Sequence, residues 1–288
     1  MSVDDLAPRL EAWCYGEDAI VRAAHMAAFA DAVGEQDLAV LRGDVMAPTY
    51  PIVLGWESQS LVLDAAVSSE LLWLHGEQEF EYQRPLAAGM RVRNRSRVAA
   101  IAPKRTGTSI TLETEIHSGD AVCCTQWFTL FVVGHQMEAI GVAPRLLETS
   151  LEQAAVLGQS TDTIDVDQPQ RYAAASGDDY GIHLDDEIAR AYGLPGRIVH
   201  GMTTLAVTAR VVRDVASRSG YPHLTSLGGR FAAPVLPGAQ ISTLVRGDLS
   251  GRRAELAFEA TSAGDAVITR GRATATSDRN ETSTRSGS

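Results

Sequence analysis

The sequence contains few cysteines, no long apolar run and fewer basic than acidic residues, and each of these features argues against a class of function. The three cysteines, Cys14, Cys123 and Cys124, are odd in number and include a neighbouring pair, so we expect buried thiols rather than a disulfide framework. No apolar run reaches the roughly 20 residues of a membrane helix. The net charge of −11 disfavours nucleic acid or a membrane as the main partner.

The composition is that of a globular protein. Hydrophobic residues make up 45% of the 288 positions and charged residues 21%, which is typical of soluble domains. The first residues, MSVDDLAPRL, have acids where a secretory signal has bases, so we expect a cytoplasmic protein. The length suits two ordinary domains or one large one.

One segment, residues 175–202, concentrates the side chains that can perform chemistry. It carries Asp178 and His183 on one predicted loop, and then His200 and Gly201 at the start of a predicted helix. An acid and a histidine that share a water molecule can remove one proton and supply another. A glycine N–H at a helix start is suited to hold a carbonyl oxygen that becomes negative. The segment is therefore the candidate active site.

The acid–histidine pair has two other interpretations when it is considered alone. It can be an ion pair on the protein surface. It can also belong to a divalent metal site formed by Asp178, His183 and His200, although their spacing matches none of the common zinc patterns.

The second half of the chain repeats the pattern of the first. Pro234–Gly238 repeats the pattern of Pro85–Gly89, about 150 positions earlier. Helices are predicted first, from Ile20 to Val33 and from Gly55 to Val67, and an antiparallel meander follows. A repeat of this length indicates one fold duplicated within the chain.

The duplicated halves differ at the candidate catalytic positions. Glu35 falls at the place of Asp178, and Val40 falls at the place of His183. A valine cannot transfer protons, so we predict that only the second half is catalytic. The predicted organisation is a non-catalytic, acyl-pocket-forming half (1–140), a linker (141–160), a catalytic half (161–276) and a disordered tail (277–288).

The candidate segment resembles the signature of the MaoC-like (R)-specific enoyl-CoA hydratases and related 3-hydroxyacyl dehydratases. That signature runs roughly Y-x3-SGD-x-NPIH-x-D-x3-A-x3-G-x4-I-x-HGM. The first half, with HGEQEFEYQRPL at residues 75–86, looks like the N-terminal half of double-hotdog hydratases, and His75 is taken as structural. The residues that match the signature in register are Tyr172, Ser176, Gly177, Asp178, Ile182, His183, Asp185, Ala189, Gly193, Ile198, His200, Gly201 and Met202.

The resemblance implies an α+β fold, a double hotdog in which each half wraps a curved antiparallel sheet around a central helix. It implies reversible hydration of trans-2-enoyl-CoA to (R)-3-hydroxyacyl-CoA, with Asp178 and His183 holding the catalytic water. It implies no metal and no cofactor besides the coenzyme A of the substrate, and a homodimer. We expect the remaining substrate-binding positions at Ser176, Tyr180, His200 and Gly201.

One departure from the signature leaves alternatives open. Tyr180-Gly181 stands where the family has Asn-Pro, which exchanges a stiff loop for a bulkier and looser one. The chain can instead be a non-catalytic thioester-binding subunit or a hotdog thioesterase. It can also be a dehydratase that acts on acyl carrier protein, for which a basic patch is needed. The candidates for that patch are the alternating Arg91, Arg93, Arg95 and Arg97.

Overall fold

The computed structural model describes residues 12–67, 71–143 and 153–277. The first half contains β1 (Cys14–Tyr15), β2 (Ala19–Ile20), α1 (Ala23–Ala32), α2 (Leu38–Leu41), α3 (Pro51–Ala66), β3 (Trp73–Tyr82), β4 (Arg91–Lys104), β5 (Gly107–Ser118), β6 (Ala121–Val133) and β7 (Ile140–Gly141). The second half contains β8 (Ala155–Thr163), α4 (Gln168–Ser176), a 3-10 turn (Gly181–His183), α5 (Asp186–Ala191), α6 (Gly201–Arg218), β9 (His223–Phe231), β10 (Gln240–Asp248), β11 (Arg253–Ser262) and β12 (Asp265–Thr276).

Both helices predicted in the first half are confirmed, with shifted ends. The first is α1, after which Gly34 takes the left-handed conformation with φ +71°. The second is α3, which begins four residues earlier than predicted because Pro51 occupies its first turn. Proline suits that position since its missing N–H would have no partner there.

One antiparallel sheet runs through both halves. Within the described residues its strands follow the order β1-β4-β5-β6-β3-β9-β12-β11-β10-β8. The two halves meet where β3 pairs with β9, with Phe80 opposite Leu227. Outward from this pair, each half continues in the same order, which confirms the predicted duplication and the double hotdog architecture.

The long helices α3 and α6 pack against the strands of their own halves. On α6, Leu205, Ala209 and Val212 are fully buried, one helical turn apart. Burial of a leucine or valine side chain contributes roughly 1.5–3 kcal/mol, so this face attaches the helix firmly to the second-half strands. The start of α6 is thereby fixed relative to the sheet.

The described residues also bear on the expected linker, tail, cysteines and membrane helices. Strand β8 begins at Ala155, inside the segment predicted as a linker, and pairs with β10. The predicted tail lies outside the described residues apart from Ser277. Cys123 and Cys124 are buried free thiols, as predicted. Across the described ranges, no helix combines the length and the apolar character needed to cross a membrane.

Candidate active site

A tight turn after α4 places the candidate acid. Helix α4 ends at Ser176, and Gly177 then takes the left-handed conformation with φ +82°, which glycine adopts without a steric penalty. The N–H of Asp178 donates to Oγ of Ser176 at 3.1 Å, and the N–H of Tyr180 donates to Oδ1 of Asp178 at 3.3 Å. The turn therefore fixes both the backbone and the carboxylate of Asp178.

A hydrogen bond to the backbone fixes the tautomer of His183. Its Nδ1 lies 2.9 Å from the carbonyl oxygen of Ile198. A carbonyl oxygen only accepts hydrogen bonds, so Nδ1 must carry the proton. In the neutral ring Nε2 is then unprotonated and available as a base.

His200 supports the other two residues. It occupies the N-cap position of α6 without a side-chain capping hydrogen bond, and its Nε2 donates to the backbone carbonyl of Asp178 at 3.1 Å. Its ring stacks on that of His183, with the centroids 3.8 Å apart. Side-chain nitrogen or oxygen atoms of Asp178, His183 and His200 all lie within 4.8 Å of one another. The structure thus brings together the acid and both histidines that the sequence singled out.

Burial sets the charge of this cluster. It raises the pKa of Asp178 and lowers the pKa of His183, and their mutual attraction only partly opposes both shifts. Both shifts favour the uncharged forms, a carboxyl that can give a proton and an imidazole that can take one. Burial, together with the neighbouring His183, holds the pKa of His200 well below its usual range, so His200 stays neutral as well.

The cluster opens into a cavity of about 290 Å³ that is lined by both halves. Of the predicted site residues, all except Ser176 line this cavity. Ser176 lines a second cavity of only about 10 Å³, which also touches Asp178. The first half contributes part of the wall of the larger cavity, including Trp73, His75, Phe128 and Phe131.

Gly201 begins α6 at the wall of the larger cavity. The first N–H groups of a helix have no acceptor within the helix, and the positive end of the helix dipole lies there. A Cβ at this position would lie 3.2 Å from the ring of Phe231, so only glycine fits without displacing that ring. Gly201 can therefore offer its N–H to an oxygen of a bound molecule.

The corresponding place in the first half has different chemistry. Glu35 accepts hydrogen bonds from the Arg213 guanidinium at 2.8 and 3.0 Å. Burial works to raise the pKa of Glu35, but Arg213 and the backbone N–H groups of Asp37 and Gln36 together outweigh it, so the pKa is lowered. Val40 is buried. This position in the first half thus holds an ion pair in place of an acid and a base.

The sequence reading missed the aromatic residues that the first half places beside the cluster. Trp73 stacks on Tyr180, with centroids 5.1 Å apart and planes at 2°. His75, taken as structural, packs between Phe128 and Phe231, and burial lowers its pKa to about 3. The sequence offered one signal for this aromatic group. Trp73 and His75 are two positions apart, and residues with that spacing share a face of a strand.

Three of the four candidate arginines of β4 pair with carboxylates, and the fourth, Arg93, donates to the carbonyl oxygen of Gly119 at 3.1 Å. Arg95 and Arg97 each contact a carboxylate of β5 at 2.6 Å, and both guanidinium groups lie over the ring of Trp13. Arg91 lies 3.1 Å from a carboxylate oxygen of Asp18. Strand β4 is also separated from β3, which lines the cavity, by β5 and β6. The expected patch at the pocket mouth is therefore missing at these positions.

Known proteins resemble this chain along most of its length. Residues 148–261 match the family described as "MaoC like domain", and residues 12–126 match "FAS1-like, dehydratase domain region". The mouse peroxisomal multifunctional enzyme type 2 is 29% identical over 200 residues, which is 68% of this chain and 26% of that protein. This chain thus spans about a quarter of the mouse enzyme.

Two relatives match over a larger share of their own length. The Arabidopsis thaliana protein named peroxisomal enoyl-CoA hydratase 2 is 26% identical, covering 68% of this chain and 67% of that protein. The Mycobacterium tuberculosis 3-hydroxyacyl-thioester dehydratase X is 29% identical, covering 76% and 75%. Because relatives are named peroxisomal, the compartment predicted from the sequence stays a prediction.

Solved structures share the fold. A MaoC-like dehydratase from Phytophthora capsici superposes with a TM-score of 0.79 at 24% identity, covering 97% of this chain and all of that one. A Mycobacterium tuberculosis protein described as a double hotdog fold gives a TM-score of 0.62 at 14% identity, covering 90% and 93%. At these identities the likeness concerns the fold alone.

Proposed function

Since the chain belongs to the MaoC-like dehydratases, which are hydro-lyases, we propose that it catalyses the reversible hydration of trans-2-enoyl-CoA to (R)-3-hydroxyacyl-CoA. The observation that carries this proposal is the placement of an acid, Asp178, and a base, His183, beside the helix start at Gly201 in one cavity. The (R) configuration is taken from the family resemblance.

Gly201 acts on the thioester. Its N–H donates to the carbonyl oxygen of the substrate, which withdraws electrons from the C2=C3 bond and makes C3 electrophilic. A donor placed where negative charge develops is worth most in a cavity that excludes water. The apolar wall formed by Phe231 and Phe128 provides such surroundings.

Asp178 and His183 act on the water. Nε2 of His183 takes a proton from the water as its oxygen bonds to C3, and the carboxyl of Asp178 gives its proton to C2. The proton on the imidazolium then passes to the carboxylate, which restores both neutral forms. No metal or redox cofactor takes part in this scheme, and dehydration is the same sequence reversed.

We propose coenzyme A rather than acyl carrier protein as the carrier of the acyl group. The four arginines that were candidates for a carrier-binding patch lie on β4, which β5 and β6 separate from the cavity-lining β3, and three of them pair with carboxylates. We further propose that the chain forms a homodimer, which sedimentation velocity measures directly.

The decisive test is the enoyl-thioester absorbance of crotonyl-CoA, followed with the wild-type protein and with Asp178→Asn. We expect the wild type to remove the band and the variant to lose about 10²–10⁴-fold in turnover, the usual contribution of a general acid or base. Asp179→Asn is the matched control, because this neighbouring carboxylate is exposed. Stereospecific 3-hydroxyacyl-CoA dehydrogenases then identify the configuration of the product.

Two results would contradict the proposal. Wild-type turnover in Asp178→Asn would remove the acid–base mechanism. Binding of every enoyl-CoA tested without loss of the band would instead favour a non-catalytic thioester-binding subunit, and Tyr180-Gly181 would be the segment to restore to the family pattern.

A further inference from the structure

The two cavities beside Asp178 differ greatly in size. The smaller one lies against helix α3, is lined in part by Ile52, Val53 and Trp56, and has a volume of about 10 Å³. A cavity of that size holds about one water molecule. An acyl chain bound at Asp178 therefore cannot extend toward α3, and it must fit within the larger cavity.

An aromatic wall closes part of the larger cavity. The ring centroids of Phe128 and Trp73 lie 6.3 Å apart, and Trp73 stacks on Tyr180. The centroid of Tyr180 in turn lies 6.3 Å from that of His183. The wall crosses from the first half to the catalytic loop of the second. Tyr180 stands where the family signature has the smaller asparagine, so this part of the wall is a property of this chain.

The volume of the larger cavity limits the acyl chain. A cavity of roughly 150 Å³ holds one benzene molecule, so about 290 Å³ corresponds to about two such rings. The thioester, the two reacting carbons and the adjoining end of the pantetheine arm occupy a large part of this space. Little room then remains for carbons beyond C3.

We infer that the site takes short, unbranched trans-2-enoyl-CoA thioesters of roughly four to six acyl carbons, and that the Trp73–Tyr180 stack sets this limit. The inference rests on the proposed function and names its substrate class. Tyr180 is a specificity-determining residue in this scheme, because its ring occupies space into which a longer chain would extend.

The test is the ratio of kcat/KM for trans-2-octenoyl-CoA to that for crotonyl-CoA. A ratio of two substrates does not depend on how much of a variant preparation is folded. In the wild type we expect the ratio to be at most about one tenth, since each methylene in a hydrophobic pocket is worth roughly tenfold or more. Tyr180→Asn and Trp73→Leu, which break the stack from opposite halves, should each raise the ratio at least about tenfold.

Tyr15→Asn is the matched control, because Tyr15 is exposed on strand β1 and does not line the cavity. It should keep the wild-type ratio. A wild type that hydrates both thioesters equally well, or an unchanged ratio in both wall variants, overturns the inference while leaving the proposed function intact. Absence of turnover with every enoyl-CoA overturns the proposed function and this inference with it.

Discussion

Replacing Arg213 with methionine should strongly destabilise the protein, because it removes the partner of a buried carboxylate. The Glu35 side chain is 2% exposed and that of Arg213 is 14% exposed. Methionine retains much of the arginine stem and removes the guanidinium. Glu35 then keeps only the backbone N–H donors of Gln36 and Asp37.

The expected loss follows from the cost of leaving a charge buried without its partner, about 3–5 kcal/mol. Asp214 also loses its contact with Arg213, but its side chain is 36% exposed, so this contribution is small. For a chain of this size about 1 kcal/mol lowers Tm by roughly 2 °C. The variant should therefore melt about 6–10 °C below the wild type at neutral pH.

The effect should depend on pH in a defined direction. Arg213 holds the folded-state pKa of Glu35 below its usual range, so the pair stabilises the fold above the unfolded pKa of about 4.3. That contribution is lost as the pH falls through the folded pKa. The difference in Tm between wild type and variant should therefore be largest above about pH 4.3 and should shrink as the pH falls below that value.

Thermal melts followed by circular dichroism measure this, with Arg171→Met as the matched control. Arg171 also pairs with acids, namely Asp31, Asp165 and Asp167, but their side chains are 67–71% exposed. Exposed pairs are worth about 0–1 kcal/mol. A loss of Tm in Arg213→Met no larger than in Arg171→Met would refute the reasoning.

Three further predictions concern the helix start, the metal alternative and the charge of the sheet. Gly201→Ala keeps the N–H but places a Cβ 3.2 Å from the ring of Phe231, which must then shift at the cavity wall, and it should reduce kcat/KM about 10-fold to 100-fold; wild-type kinetics would contradict the need for glycine at this position. Dialysis against EDTA should leave turnover unchanged, whereas a loss that zinc restores would support the metal site. Burial, with Glu77 and Glu81, raises the pKa of Glu79 to about 8. Stability should therefore fall as the pH rises toward 8, and Glu79→Gln should melt above the wild type at pH 9 but equal it at pH 4; equal melting at pH 9 would contradict this.

The catalytic cluster could be predicted from the sequence because its members are close in the chain. Asp178, His183 and His200 lie in one segment. The turn that places Asp178 depends on its immediate neighbour, the left-handed Gly177 that follows helix α4. The duplication was likewise visible, since matching turns recur in both halves. These features need no knowledge of how distant strands align.

Contacts that depend on strand register could not be predicted. Trp73 and Tyr180 belong to different halves and meet only because β3 pairs with β9 in one register. The arginines of β4 resembled a free basic patch because their partners come from the neighbouring strand, where Arg95 lies opposite Glu115. The sequence contains the arginines and the acids that pair with them, but only the strand register shows that they lie opposite one another.

The β3–β9 pair also shapes how the protein folds. Strands β4, β5 and β6 are joined by short turns and pair with their sequence neighbours, as do β10, β11 and β12. We expect these local contacts to form early, whereas β3 and β9 are far apart in the chain and their pairing costs the entropy of closing a long loop. We therefore expect each half to condense before the two dock. A molecule arrested at that stage would have nearly complete secondary structure but no finished cavity, because the walls of that cavity come from both halves.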